Sequence, residues 1–280
     1  RVERGVIITV EAFDWNCPKY ITPRFTEQEV RKLVSSWKQT EEPGRFSMVT
    51  DEKIGSGALD LVVTGIRQMT PRVRAYELRA PDWRDLPSVN AGAHLAVPVQ
   101  LPDGTVVTRQ YSLATHPQRR DMYEIAVLRE ADGRGGSAAI HATWQIGTRL
   151  ALDPTVNQFP LHDDDRPAVL IAGGIGITPI KAMAQALKAR GTSFELHYSG
   201  RTAAEMGYRD RLAIEFPDQL HLYFTRTAGG NRLDIEAILD AAKPDTMFYV
   251  CGPARLIEAV LKAARELGIP RSCMQYESFE

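Results

Sequence analysis

The pattern of hydrophobic and polar positions changes near residues 57 and 166. Between these points, short stretches rich in β-branched and aromatic residues alternate with polar turns such as "PDG" at 102–104 and "ADGRGG" at 131–136. Short strands separated by such turns are typical of an antiparallel barrel or sandwich. Six stretches predict strands: 58–70, 72–80, 93–100, 105–114, 122–130 and 148–154.

Beyond residue 166, apolar runs alternate with segments of helical period. The runs "AVLIAG", "FELHYSG", "LHLYFT" and "TMFYV" predict strands, and each precedes a predicted helix. This alternation is typical of an open parallel sheet with helices on both faces. The predicted fold class is therefore α/β plus all-β, with a six-stranded antiparallel barrel followed by an open parallel-sheet domain.

The first 56 residues follow neither pattern. "GVIITVEAF" is β-rich, and "TEQEVRKLVSSWKQ" has a helical period with Thr26 and Glu29 in capping-box spacing. The polar, aperiodic segment that follows indicates a linker. The predicted organisation is a short strand–helix segment over 1–40, a linker over 41–56, a barrel domain over 57–160 and an α/β domain over 161–280.

Composition narrows the class of protein. The chain has 280 residues, of which 25% are charged, and a net charge of -1, so nucleic acid and anionic membranes are not expected as partners. No apolar run approaches the ~20 residues that cross a bilayer. Cys17, Cys251 and Cys273 are too few and too dispersed for a disulfide framework or an iron–sulfur site, and the histidines show no metal-binding spacing. We expect a cytoplasmic protein with no metal site in this chain.

Two loops at the ends of predicted strands are candidate ligand-binding sites. "AGGIGITPIK" at 172–181 fits neither a P-loop nor the G-x-G-x-x-G fingerprint, because Pro179 replaces the third glycine. Thr178 is a predicted N-cap and Pro179 suits a first helical turn, so the free N–H groups there predict an anion site. The other reading is a tight turn without a ligand. The second loop is Cys251-Gly252-Pro253, where a buried inert cysteine is the alternative.

The predicted barrel contains two further candidates. "RQYS" at 109–112 places arginine, aromatic and hydroxyl groups at one strand end, with Arg109 and Tyr111 on one face unless the strand bends. "GRGGS" at 133–137 precedes a predicted helix and offers a second anion site.

Taken together, these motifs resemble the ferredoxin reductase superfamily of flavoproteins. "RQYS" is similar to its R-x-Y-S motif, "GGIGITP" to its G-G-x-G-x-T-P loop and "CGP" to its C-G-P motif, in the same order. "GRGGS", "NQFPL", "AGGIGITP" and "YESF" resemble the phthalate dioxygenase reductase-like branch, the reductases of Rieske oxygenases. The resemblance covers about 57–280 and implies a flavin-binding barrel and a nicotinamide-binding domain.

The resemblance also implies an activity and its cofactors. NADH would give hydride to FMN, and single electrons would pass to a [2Fe–2S] ferredoxin domain or protein. FAD is the alternative to FMN, and NADPH is the alternative to NADH because Arg201, Arg209 and Arg211 lie near the expected ribose position. Alternative functions are reduction of free flavin, oxygen or haem, and a redox-inactive nucleotide sensor.

The resemblance assigns individual residues to these ligands. Flavin would contact Arg109, Gln110, Tyr111, Ser112, Ala126, Val127, Leu128, Gly135, Gly136 and Ser137. The dinucleotide would contact Gly173, Gly174, Gly176, Thr178, Pro179, Arg201, Cys251, Gly252 and Pro253. Ser112, Cys251 and Phe279 would lie where hydride is transferred, with Phe279 covering the flavin ring.

The chain differs from that branch at both ends. Its relatives carry a plant-type ferredoxin domain after "ESF", whereas the sequence here stops at Glu280 without a cluster motif. "VEAFDWNCPKYITPRFT" is similar to the tail of pyridoxamine 5'-phosphate oxidase-like flavin-binding proteins, and the sequence starts at Arg1. We expect the parent protein to be a longer fusion of split barrel, reductase and ferredoxin.

Overall fold

The computed structural model describes residues 53–131, 133–227 and 229–279. The predicted strand–helix segment and most of the predicted linker lie outside the described residues, as does the likeness to a flavin-binding split barrel.

The first half of the described chain is built mainly of strands. Each of the six predicted stretches contains one strand, and a short additional strand precedes them. The elements are β1 (Ile54–Gly55), β2 (Leu59–Thr70), β3 (Val73–Arg79), β4 (His94–Gln100), β5 (Val106–Ser112), β6 (Tyr123–Leu128), α1 (Gly136–Thr143) and β7 (Arg149–Leu152).

These strands form a five-stranded sheet and a two-stranded ribbon. The order in the sheet is β1-β7-β2-β3-β6, and β4 pairs with β5 separately. The backbone N–H of Ala114, just beyond β5, donates to the carbonyl oxygen of Glu124 in β6 at 2.8 Å, which joins the ribbon to the sheet. The pairing is antiparallel except between β1 and β7, which are parallel. A two-residue strand is too short to give a hydrophobic period, so the sequence did not reveal β1.

The second half alternates strands and helices. Its strands are β8 (Ala168–Gly173), β9 (Phe194–Gly200), β10 (Leu220–Phe224), β11 (Met247–Cys251) and β12 (Met274–Glu277). Its helices are α2 (Ile177–Arg190), α3 (Arg209–Glu215), α4 (Ile235–Asp240) and α5 (Ala254–Glu266). The strands form one parallel sheet in the order β10-β9-β8-β11-β12. The open parallel sheet is therefore confirmed.

Two details of this sheet differ from prediction. The helix predicted after the run "FELHYSG", over roughly 203–215, is divided into a 3₁₀ turn at Ala203–Glu205 and α3, because Tyr208 adopts a left-handed conformation with φ 62°. The fifth strand, β12, was not predicted, since its sequence "MQYE" follows a 3₁₀ turn at Arg271–Cys273 and shows no continuous apolar run. This strand carries the C-terminal residues to the edge of β11.

Strand alternation divides the parallel sheet between two hydrophobic clusters. Leu170 and Leu196 face a cluster that includes Ile180 of α2. Ile171 faces the opposite cluster with Val260 of α5. Ligands bind in open α/β sheets beyond the carboxyl ends of the strands, where the loops that follow β8 and β11 lie. No helix among the described residues is long and apolar enough to cross a membrane.

Lys181 is a buried cation that links α2 to the first half of the chain. Its side chain is 1% exposed, and its Nζ donates to the carbonyl oxygen of Ala114 at 2.5 Å. Burial lowers the pKa of Lys181 to about 8. Because the folded pKa is below the unfolded one, the unfolded chain binds more protons between pH 8 and pH 10.5, and stability rises with pH there.

We therefore expect Lys181→Met to remove a pH-dependent part of the stability. The free energy of unfolding of the wild type should gain roughly 2 kcal/mol relative to the variant between pH 8 and pH 10, from the integrated linkage relation. Urea unfolding across that pH range measures this difference, with Lys262→Met as an exposed-lysine control. A constant difference between wild type and Lys181→Met would contradict the prediction.

Candidate functional site

A cleft with about 740 Å³ of empty space, part of it open to solvent, is lined by half of the predicted site residues. The predicted residues that line it come from β5, β6, α1, α2 and the C-terminal end: Arg109, Gln110, Tyr111, Ser112, Ala126, Leu128, Gly136, Ser137, Thr178 and Phe279. Three residues that were not predicted also line it: Glu130, Arg134 and Ile175. Motifs far apart in the sequence therefore share one cleft.

The strand β5 borders the cleft along its edge. The residues of β5 pair with β4, and bridging to β6 begins only at Leu113. Four consecutive residues, 109–112, therefore line the same cleft, although strict alternation would send two of them to the opposite face. Burial raises the pKa of the Tyr111 hydroxyl, so this side chain offers the cleft a neutral aromatic ring.

Strand β6 contributes one of its two faces. Ala126 and Leu128 line the cleft, whereas Val127 is fully buried in the core between them. The carbonyl oxygen of Val127 lies 2.9 Å from Nε2 of His141 in α1, so its backbone is also engaged. The structure therefore brings the predicted residues Ala126 and Leu128 to the cleft and directs Val127 into the core.

The start of α1 forms a cationic end of the cleft. Gly135 caps the helix in a left-handed conformation with φ 79° and does not itself line the cleft. The first-turn N–H groups are free for an anion, and the first turn contains no acidic residue. A Cβ on Gly136 would lie 2.9 Å from Nε of Arg109, so this guanidinium packs directly against the helix start. The end of the cleft therefore combines a helix N-terminus with a fixed positive charge.

The "GGIGITP" loop reaches the cleft from the parallel sheet. Gly173 ends β8, Gly174–Gly176 form a 3₁₀ turn, and α2 begins at Ile177 with Gly176 as its N-cap. Thr178 is therefore not the N-cap, and that prediction was wrong. Its Oγ1 donates instead to the carbonyl oxygen of Ile175 at 3.0 Å, because the 3₁₀ turn moves the helix start two residues earlier than expected. Pro179 does lie in the first turn of the helix, as predicted.

The "CGP" loop packs against this glycine loop. A Cβ on Gly176 would lie 2.2 Å from the carbonyl oxygen of Cys251, and Gly252 lies against the backbone of Gly173. Pro253 follows at the start of α5. The two loops at the ends of β8 and β11 thus contact each other through their backbones, which requires glycine at these positions.

A polar pair lies beside Cys251, which is itself fully buried. Ser112 Oγ donates to Glu277 Oε2 at 3.1 Å, and Glu277 is the register partner of Cys251 across β11 and β12. Burial raises the pKa of the Glu277 carboxyl, and the hydrogen bond from Ser112 partly opposes this. Burial, with the nearby Glu277 charge, raises the pKa of the Cys251 thiol well above its usual range. The thiol is therefore neutral at physiological pH.

Glu277 was missed as a site residue, although it stands in the quoted motif "YESF". Its position two residues before Phe279 could have indicated that it lies near the site. The side chain of Phe279 is 41% exposed and lines the cleft. Arg201 lies elsewhere, just beyond the end of β9, and its Nη1 is 3.9 Å from Glu205 Oε2. The structure does not bring Arg201 into the cleft.

Comparisons with known proteins give this site a family context. The family model described as dimethylamine monooxygenase subunit DmmA-like, N-terminal domain, matches residues 148–274. The vanillate O-demethylase oxidoreductase of Acinetobacter baylyi is 36% identical over 221 residues, which cover 79% of this chain and 68% of that protein.

Two solved structures are similar in fold and sequence. Phthalate dioxygenase reductase, described as modular for electron transfer from pyridine nucleotides to [2Fe–2S], matches with a TM-score of 0.72 and 31% identity, covering 79% of this chain and 67% of that one. An intact type IV self-sufficient cytochrome P450 monooxygenase matches with a TM-score of 0.73 and 34% identity over 79% of this chain. The matched region spans 28% of that P450 chain.

Proposed function

Because the chain belongs to the ferredoxin reductase family of NAD(P)H-dependent flavoprotein reductases, we propose that it takes hydride from NADH onto FMN and passes single electrons to a [2Fe–2S] partner. One observation carries the proposal: the "RQYS" strand, the start of α1, the "GGIGITP" loop and the C-terminal Phe279 line the same cleft. When bound, the flavin supplies the conversion between two-electron and one-electron transfer.

The cleft suits a flavin at both its ends. Tyr111, Ala126 and Leu128 supply an aromatic and apolar wall for a planar ring system. Arg109 and the free N–H groups of α1 supply a phosphate site. We propose FMN rather than FAD because the likeness of "GRGGS" to the FMN-using branch falls on this helix start. Chromatography of the flavin released by denaturation tests the choice, and FAD as the bound species would contradict it.

The proposed route for the nicotinamide runs from the parallel sheet into the cleft. The loops at the ends of β8 and β11 would hold the dinucleotide, with Gly174, whose Cβ position meets no atom within 4 Å, allowing its close approach. Phe279 would cover the flavin ring until the nicotinamide displaces it. The task of these residues is to hold two rings in contact and exclude water, since hydride transfer needs no protein base.

Ser112 is expected to influence the rate through the charge of Glu277, which would act on the flavin electrostatically and not as a base. The Ser112 hydroxyl stabilises the charged Glu277 carboxylate, so Ser112→Ala should raise the pKa of Glu277 further. We expect kcat to fall about tenfold, which corresponds to the free energy of one hydrogen bond. We also expect the part of the pH–rate profile that reflects Glu277 to move to higher pH. Steady-state rates from pH 5 to pH 9 measure both effects.

The exposed Ser272 offers a control for this variant, because Ser272→Ala should leave rate and profile unchanged. A Ser112→Ala variant with slower turnover and an unmoved pH profile would show that Ser112 acts without Glu277.

The preference for NADH is proposed to depend on Glu205. This carboxylate lies 3.9 Å from the Arg201 guanidinium, near the end of β9 where the adenosine ribose binds in such sheets. A carboxylate there can accept from a ribose 2′-hydroxyl and repels a 2′-phosphate. We expect Glu205→Ala to shift the ratio of kcat/KM for NADPH over NADH upward about tenfold, which a comparison of the two donors measures.

The matched control is Glu258→Ala on the exposed side of α5, which should leave the donor ratio unchanged. A wild-type protein that prefers NADPH would overturn the NADH assignment and favour the Arg201 guanidinium as a phosphate ligand.

The electron acceptor is proposed from the family alone. The similarity to phthalate dioxygenase reductase favours a [2Fe–2S] ferredoxin domain or protein as the immediate electron acceptor. A Rieske-type oxygenase would be the final electron acceptor. The match to a P450 monooxygenase makes haem a second candidate acceptor. Anaerobic reduction of a plant-type ferredoxin by NADH and this protein tests the proposal, and reduction of a P450 haem but not of the ferredoxin would overturn it.

A further inference from the structure

Three side chains with metal-binding atoms converge on one face of the parallel sheet, away from the cleft. Glu195 and His197 lie on β9, and His221 lies on the neighbouring strand β10. His197 and His221 are register partners, so the parallel pairing places their rings side by side. One ligand atom from each of the three residues lies within 4.8 Å of the other two.

The spacing of these atoms suits a small tetrahedral ion. Nε2 of His197 lies 3.1 Å from Oε2 of Glu195, and the rings of His197 and His221 stack with centroids 4.7 Å apart. Two ligand atoms about 2.1 Å from zinc at a tetrahedral angle are about 3.4 Å apart. The first pair is therefore already close to zinc spacing, and rotation of the exposed His221 ring would bring in the third atom.

The buried histidine is held in the form that binds metal. Nδ1 of His197 lies 2.9 Å from the Tyr223 hydroxyl, which fixes the ring and leaves Nε2 facing Glu195. Such an outer partner is typical of histidines that ligate metals.

We propose that Glu195, His197 and His221 form a Zn²⁺ site in which water completes the coordination. Imidazole ligands favour zinc over magnesium or calcium, which prefer oxygen ligands. His197 is three residues from the end of β9, about 10 Å at strand spacing, so the site lies apart from the nucleotide end of the sheet. A bound ion would tie β10 to β9. The inference does not depend on the proposed reductase function.

The sequence did not predict this site because its ligands come from two strands. Glu195 and His197 have the two-residue spacing of one strand face, but His221 is joined to them only through the β9–β10 register. The expectation that this chain has no metal site rested on spacing within single segments, where no H-x₃-H pattern occurs.

Calorimetric titration of the full chain, free of any polyhistidine tag, with ZnCl₂ tests the proposal. We expect one ion per chain with a micromolar or tighter Kd, and at least tenfold weaker binding in His221→Ala and Glu195→Gln. Both substitutions are at exposed side chains, so the fold should be retained. His116→Ala and Glu258→Gln are the matched controls and should bind zinc like the wild type.

A second measurement on the unaltered chain guards against misfolded variants. Zinc should raise the Tm of the wild type, EDTA should reverse the rise, and His221→Ala should show no rise. The proposal is overturned if 100 μM ZnCl₂, about ten times the Kd of a weak micromolar site, gives no detectable zinc binding to the wild type. It is equally overturned if His221→Ala and Glu195→Gln bind zinc as tightly as the wild type.

Discussion

Replacing Gly176 with alanine is expected to lower kcat/KM for NADH by at least about 100-fold. The added Cβ would lie 2.2 Å from the carbonyl oxygen of Cys251 and 2.7 Å from the backbone nitrogen of Gly252. Since both contacts are with backbone, a side-chain rotation cannot relieve them, and the two loops must separate. We expect the free energy of unfolding to fall by about 3 kcal/mol, which is at the upper end of the usual cost of overpacking. We expect the free energy of nicotinamide binding to weaken by a similar amount.

Gly176 suits this test because its own conformation is ordinary. Its φ of -60° is helical, so alanine adds no backbone strain and the effect is purely steric. Gly207→Ala is the matched control, because its added Cβ would meet its nearest atom at 3.8 Å, an ordinary contact. Steady-state kinetics and urea unfolding measure both variants. A Gly176→Ala protein with wild-type kcat/KM would show that contact between the two loops is irrelevant to nicotinamide binding.

Replacing Arg109 with alanine is expected to weaken FMN binding about 100-fold. Its guanidinium lies against Gly136 at the start of α1, where the free N–H groups and the positive charge would share the flavin phosphate. Charge-assisted hydrogen bonds to a phosphate contribute about 1.5–3 kcal/mol, and the helix start alone would retain the remainder. Fluorescence titration of the flavin-free protein with FMN measures the change in Kd.

The control for this variant is an arginine outside the cleft. Arg84 is 68% exposed and pairs loosely with Asp82, so Arg84→Ala should bind FMN like the wild type. Riboflavin gives a second control, because it lacks the phosphate and should bind wild type and Arg109→Ala equally. An Arg109→Ala variant that loses affinity for FMN and riboflavin to the same extent would place Arg109 at the ring rather than at the phosphate.

Much of the fold could be predicted because its elements have strong local signals. The runs "AVLIAG" and "TMFYV" are continuous apolar strands with a glycine loop at each carboxyl end, and both were assigned correctly. The parts that were missed lack such signals. Tyr208 itself adopts a left-handed conformation, which a tyrosine does not indicate, and β12 is held by pairing with β11 rather than by its own sequence.

The candidate site shows the same limit at the level of side chains. The residues of "RQYS" could be predicted because the motif is local, but the hydrogen bond between Ser112 and Glu277 joins residues 165 positions apart. Whether Val127 or its neighbours face the cleft depended on the register of β6, which the sequence leaves open by one residue. Long-range pairing, which a single sequence does not encode locally, decided these details.

The most direct test of the account is anaerobic titration of the purified protein with NADH, followed by visible absorption. If the cleft holds a flavin beside the nicotinamide, the protein is yellow as purified or after addition of FMN. About one equivalent of NADH then bleaches the flavin absorption, because one hydride reduces one FMN. A protein that stays colourless with added FMN, or a yellow protein that NADH leaves unbleached, would contradict the account.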